Sequence, residues 1–202
     1  MLPPPFINIW WSSIRAAASS GPSTPSPTPI EKFLGTHPAA LAFVKTPKPF
    51  PASFAHEAYF GVTALRFINK DGVARYGRFR VTPVAGIEHL DDATAQAKGP
   101  DYLFDEIKAR VAATPIRFEI RVQVAADTDV VDDATVHWPE DRPQIPFGTV
   151  TLNAVAADDA AQQKHLIFDP IPRVDGIEPS DDPLLELRAA IYLISGRRRR
   201  EA

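Results

Sequence analysis

Gly176-Ile177-Glu178-Pro179-Ser180-Asp181-Asp182-Pro183, followed by LLELRAAIYLISGRRRR over residues 184–200, is the stretch whose reading decides the fold. Ser180, Asp181 or Asp182 can cap a helix, and Pro183 suits its first turn because its missing N–H would be unpaired there anyway. Leu184, Leu187 and Ile191 recur at helical spacing and are expected to form the core stripe, with Gly196 as the stop. Arg188 and Tyr192 stand four apart and share a face, about 5–6 Å between Cβ atoms, so the guanidinium can reach the phenol oxygen. A free phenol, with a pKa near ~10, is a poor metal ligand while protonated. A neighbouring cation favours the phenolate, and tyrosinate is one of the axial ligand types of haem iron. The bland reading of the same pair is a surface arginine lying beside a buried tyrosine.

Upstream of this helix the chain reads as sheet. Tyr59 to Ile68 is apolar on both faces, as in a strand covered on both sides. Asn69-Lys70-Asp71-Gly72 is a hairpin signal leading into a strand from Ala74 to Val81. Ile116 to Val124 alternates strictly, apolar at even positions and polar at odd ones. A fourth strand is expected from Thr149 to Val155. Between the second and third strands a helix is expected from Asp101 to Val111, with Leu103, Ile107 and Val111 along one stripe. Ser19 to Pro29 (SSGPSTPSPTP) can hold neither a helix nor a central strand and reads as a linker. A short helix follows around Ile30 to Phe43. The organisation expected is an irregular Pro/Ser-rich segment over residues 1–29 and one structured portion over residues 30–202.

Composition bounds the function. The 202 residues are 45% apolar and 23% charged, which suits a globular chain. A net charge of −3 gives no field favouring nucleic acid or an anionic membrane, and no apolar run approaches the roughly 20 residues of a membrane span. The absence of cysteine excludes disulfides, thiolate nucleophiles and cysteine ligation of metal or haem. There is no glycine-rich phosphate loop before a helix and no nucleophile elbow. The acidic pairs Asp91-Asp92, Asp132-Asp133, Asp158-Asp159 and Asp181-Asp182 read as solvated turns and caps.

GIEPSDDPLLELRAAIY resembles the haem-ligating helix of the catalase family, which carries Arg-x-x-x-Tyr. The likeness extends to Tyr59-Phe60-Gly61-Val62, to Arg78-Phe79-Arg80-Val81-Thr82-Pro83, to Pro100-Asp101-Tyr102-Leu103-Phe104 and to Phe168-Asp169-Pro170. It covers residues 50–200 well and the segment back to Ile14 more loosely, and the ending soon after the tyrosine is similar to the small catalase-related peroxidases. The resemblance implies an α+β fold. That fold would be the second half of a catalase-like antiparallel β-barrel, about four strands, with flanking helices and a C-terminal haem-ligand helix. It implies haem b as cofactor, Tyr192 as axial ligand to the iron, Arg188 as its charge partner, and Arg199, seven residues on, as a propionate partner. Arg197 to Arg200 read equally well as a solvated basic helix end.

The resemblance also implies hydrogen peroxide and a small organic reductant as the partners of an intact relative, with no nucleic acid and no membrane. The family's distal histidine and asparagine belong to the first half of its domain and match nothing here, so no catalytic residue is assigned. His37, His56, His89, His137 and His165 all lie in or after the part resembling the second half. The expectation is therefore a truncated chain, with a non-catalytic haem binder or an inert fragment as the alternative, and with a homo-oligomer formed through the open barrel edge. The compartment stays open between cytoplasm and periplasm.

Overall fold

A computed structural model describes residues 27–201, and the chain divides into two compact units after Lys48. In the first unit, α1 (Pro29–Thr36) opens on a capping box. The Thr28 side chain accepts from the Glu31 amide at 3.3 Å, and the Glu31 carboxylate accepts from the Thr28 amide at 2.6 Å. The single helix expected over Ile30 to Phe43 is instead broken, because α2 (Pro38–Lys45) starts at a proline. Proline disfavours helical geometry in the residue before it, and His37 turns out to φ −128°, ψ 80°.

The second unit, Pro49–Ala202, holds the sheet. The strands are β1 (Phe50–Pro51), β2 (Tyr59–Phe60), β3 (Leu65–Ile68), β4 (Ala74–Pro83), β5 (His89–Leu90), β6 (Ile116–Val124), β7 (Gln144–Leu152) and β8 (Ile177–Pro179). The helices are α3 (Asp92–Ala97), α4 (Tyr102–Ala113), α5 (Asp159–His165) and α6 (Pro183–Glu201). Six strands form one antiparallel sheet in the order β7-β6-β4-β3-β8, with β2 beside β3 on the same edge of β4; β1 and β5 pair separately. The chain is thus α+β, with six strands in the sheet where about four were expected.

Two of the expected strands need correction. Tyr59 to Ile68 is not continuous: the chain leaves β4 after Gly61, whose amide donates to the Phe79 carbonyl at 2.8 Å, and rejoins it at Leu65. The last long strand runs from Gln144 to Leu152, five residues earlier than expected, because Pro146 sits at a bulge opposite Arg121. A proline is tolerated at a bulge on an edge strand, and it hid the strand's first half from a pattern search. The hairpin read at Asn69 is present. The Asn69 side chain accepts from the amides of Asp71 and Val73 at 2.9 Å each, and Gly72 supplies the positive φ of 78°.

The sheet buries both faces of its centre by different means. On one face α4 covers β6, and Ala55, Val111, Ile116 and Phe118 form a core with Val81 and Ile107 against it. Further along, the Phe79 ring lies edge-on to Phe67 at 5.5 Å and to Phe147 at 5.3 Å. The other face is polar and still buried. Arg78 is stacked on Trp138 at 4.1 Å and donates to the carbonyls of Val136 and Asp133 at 2.8 and 3.3 Å. Arg80 donates to the Gln123 side chain, which is itself 0% exposed and donates to Pro139 at 3.0 Å. The strict alternation of β6 therefore separates core from solvent only in its first half, where Arg117 and Glu119 are exposed; Gln123, at the other end, is buried on the polar side.

Candidate functional site on the C-terminal helix

The sheet hangs α6 from its edge. β8 pairs with β3, aligning Leu65 with Pro179 and Phe67 with Ile177, and Arg66 meets Glu178 at 2.5 Å. Ser180 then accepts from the Asp182 amide at 3.4 Å, and Asp182 accepts from the Leu184 amide at 2.9 Å, capping the first turn. Asp182 is 3% exposed, and its charge acts on the buried Arg78 of β4. Burial, and next the charge of Arg80, hold the Arg78 guanidinium below its usual range, while Asp182 opposes that shift. The start of the helix is thereby tied electrostatically to the polar face of the sheet.

The face that α6 turns inward differs from the one expected. Leu185 is the buried leucine, at 1% exposure, and the stripe continues through the half-buried Arg188, Ala189, Tyr192 and Ser195 to the buried Gly196. Leu184, Leu187 and Ile191, expected as the core stripe, are exposed together with Leu193 and Ile194. Nor does Gly196 stop the helix, which runs on to Glu201. A Cβ on Gly196 would lie 2.1 Å from Cδ1 of Ile167, so glycine at this position admits the segment that follows α5.

The inward stripe carries the candidate site. Arg188 Nη2 donates to the Tyr192 hydroxyl at 3.3 Å, the contact that the four-residue spacing allows. The Phe168 ring stands edge-on to Tyr192 at 6.4 Å, and the Arg199 guanidinium lies over Phe168 at 5.7 Å. Arg199 also donates to Ser195 Oγ at 2.8 Å, to the Gln163 carbonyl at 3.3 Å and to the Leu166 carbonyl. It is therefore half-buried and engaged, clasping the C-terminal end of α5, rather than a solvated arginine in a basic run. The family likeness had brought Phe168 into view but gave it no place at the tyrosine. The clasp of Ile167 and Arg199 around it has no local sequence signal.

The remaining titratable groups work elsewhere. His56 pairs with the Gly86 carbonyl at 2.8 Å, and His89 lies 3.4 Å from Glu57. Asp129 takes a two-pronged contact from Arg142 at 2.8 and 2.9 Å. Among the described residues no group of three or more His, Asp or Glu side chains could hold a metal ion, and no helix is long and apolar enough to cross a membrane. The donor set on α6 is of another kind. It offers one phenol oxygen whose hydrogen-bond partner is a cation, beside an aromatic ring and an exposed apolar helix face. A phenol oxygen held by a cation is of the ligand type that a ferric haem iron accepts.

A family model described as catalase matches residues 32–201. A catalase-related peroxidase of Mycolicibacterium paratuberculosis is 37% identical over 177 residues, covering 86% of this chain and 56% of its own length. A catalase-related peroxidase of Synechococcus elongatus is 33% identical over 186 residues, covering 91% and 54%. The crystal structure of a fungal catalase superimposes with a TM-score of 0.66 at 25% identity, over 74% of this chain and 32% of that one. The chain spans about half the length of the two peroxidases.

Proposed function

This chain belongs to the catalase family, and we propose that it is the proximal portion of a haem peroxidase or catalase domain acting on hydrogen peroxide. The observation that carries this reading is the hydrogen bond from Arg188 to the Tyr192 hydroxyl on α6. Tyr192 would hold the iron of haem b through its phenolate oxygen. Arg188 would stabilise the negative charge on that oxygen, donating a charge-assisted hydrogen bond that strengthens as the phenol loses its proton. Arg199, two turns beyond Tyr192, would meet a propionate only by exchanging its present contacts with Ser195, Gln163 and Leu166. The six-stranded sheet would be part of a β-barrel in which the exposed apolar faces of α6 and β7 are covered.

When bound, the haem supplies a redox-active ferric centre at which peroxide is reduced, with a second peroxide or a small organic molecule as the reductant. Moving the peroxide proton needs a general acid–base group on the opposite side of the ring. His56 is engaged with the Gly86 carbonyl and His89 with Glu57, and the family resemblance assigns that role to residues matching nothing in this chain. The second reading, a haem binder without turnover, rests on this observation.

Titration of the purified chain with haemin tests the proposal. A saturable Soret band near one haem per chain is the expected result, and a band that never saturates would contradict it. Peroxide decay by the loaded protein then separates the two readings: turnover supports the peroxidase, and a stable spectrum without turnover supports the binder.

A further inference from the structure

Arg199 ties the end of one helix to another. From α6 its Nε donates to the Gln163 carbonyl at 3.3 Å and its Nη2 to the Leu166 carbonyl, in the last turn of α5 and just beyond it. Its Nη1 donates to Ser195 Oγ, one turn back on α6, at 2.8 Å. The guanidinium also lies over the Phe168 ring at 5.7 Å. All three nitrogens of the fork are therefore in use, and any adjacent pair of them includes one that serves a carbonyl at the end of α5.

That end needs holding. α5 is seven residues long, Asp159–His165, and a helix so short is marginal without tertiary contacts. Its first turn is capped by Asp158, whose side chain accepts from the Ala161 amide at 3.2 Å. Its last turn takes a cation from outside the helix, Arg199, where the helix dipole is negative. Beyond the helix, Ile167 fills the space left by Gly196. The tie thus has a polar half, Arg199 on two carbonyls, and an apolar half, Ile167 against Gly196.

A carboxylate is the stronger partner for the same guanidinium. A carbonyl is a neutral acceptor, whereas a carboxylate brings a full charge and two oxygens that match the fork. Arg199 follows Tyr192 by seven residues, which puts both on one face of α6, roughly 10 Å apart along its axis. We infer that Arg199 is a latch: the carbonyls at the end of α5 and a haem propionate compete for its guanidinium, and loading the Tyr192 site frees residues 159–168 from their polar tie. The inference rests on the proposed haem reading. It adds a cost of entry, because contacts of the latch must be given up before the propionate is held.

Hydrogen–deuterium exchange of the full chain, alone, with haemin and with haemin dimethyl ester, tests the latch, and the Soret band of each sample reports loading. Esterified propionates carry no charge and leave Arg199 on α5. The expected result is exchange in residues 159–168 about threefold or more faster with haemin than in the ligand-free chain, and unchanged with the ester. Loading by haemin without faster exchange there overturns the latch alone, since another group then takes the carboxylate. No saturable band with haemin overturns the haem reading, and the inference with it.

Ser195→Ala gives the second measurement, removing one contact of the latch and leaving Arg199 in place. A latch that must open predicts that this variant binds haemin about threefold more tightly, because less is given up on loading. It also predicts faster exchange of residues 159–168 in the ligand-free variant. A serine that merely supports the site would leave haemin binding equal or weaker when truncated, and that outcome would overturn the inference.

Discussion

Ile167 occupies the space that a side chain at Gly196 would fill, its Cδ1 lying 2.1 Å from the position of the missing Cβ. With Arg199 clasping the carbonyls of Gln163 and Leu166, this contact fixes the segment carrying Phe168 against the Tyr192 helix. Glycine inside a helix costs about 1 kcal/mol relative to alanine, so its use here is explained by the close approach.

Replacing Gly196 with valine should therefore destabilise the chain by roughly 1–3 kcal/mol through overpacking, despite the better helix propensity. Thermal unfolding of Gly196→Val, Ile167→Ala and the double variant measures it. The double variant should be less destabilised than the sum of the two singles, because removing the Ile167 methyls makes room for the new side chain. Additive losses would mean that the two residues do not compete for one space.

Trp138, 4% exposed, covers the guanidinium of Arg78 at 4.1 Å and donates to the Val130 carbonyl at 2.7 Å. Trp138→Ala removes a buried aromatic and uncovers a buried cation, and should cost about 3–5 kcal/mol in urea unfolding. Trp138→Phe keeps part of the stacking surface while losing the hydrogen bond and some buried volume, so it should cost less, about 1–2 kcal/mol.

Asp129 is held below the usual carboxylate range, first by its side-chain hydrogen bonds with Arg142 and further by the amide of Ala126 and the charges of Arg142 and Arg78. A carboxyl depressed in the folded state contributes stability that is fully present above its unfolded pKa, about 3.9, and lost as pH falls through the lower folded value. The urea midpoint should thus fall as the pH drops through the region around that pKa of roughly 3.9. Asp129→Asn should flatten this acid limb and, because solvent screens the contact, cost only about 1 kcal/mol at neutral pH. An unchanged acid limb would show that the contact contributes nothing to folding.

Much of the scaffold was legible because local signals and tertiary structure agree. The alternation of Ile116 to Val124 yielded β6 at its observed bounds, the Leu103-Ile107-Val111 stripe located α4, and Asn69 to Gly72 located the hairpin. The failures have specific causes. Over residues 184–195 α6 carries apolar residues on several sides, so periodicity could find the helix but could not choose between the stripe of Leu185 and that of Leu184, Leu187 and Ile191. Gly196 reads as a stop unless the side chain that fills its space, 29 residues earlier in the chain at Ile167, is known. At the candidate site the Arg188–Tyr192 contact follows from spacing alone. The engagement of Arg199 with the end of α5 and the placement of Phe168 beside Tyr192 depend on how the chain returns after Leu152, which no local pattern encodes.

Arg188→Gln keeps a hydrogen-bond donor near the Tyr192 oxygen but removes the charge. If the guanidinium stabilises a phenolate ligand, the variant should bind haemin about tenfold more weakly while its melting temperature changes little, since Arg188 is only half-buried. Equal affinity would leave Arg188 as a structural neighbour of the tyrosine.

The most direct test of the central claim compares the visible and electron paramagnetic resonance spectra of the haemin-loaded chain with those of Tyr192→Phe. A high-spin ferric signature with a phenolate charge-transfer band in the parent protein, lost in Tyr192→Phe at unchanged folding, is the predicted result. A spectrum indifferent to that substitution would contradict ligation by Tyr192 and with it the proximal-site reading of this chain.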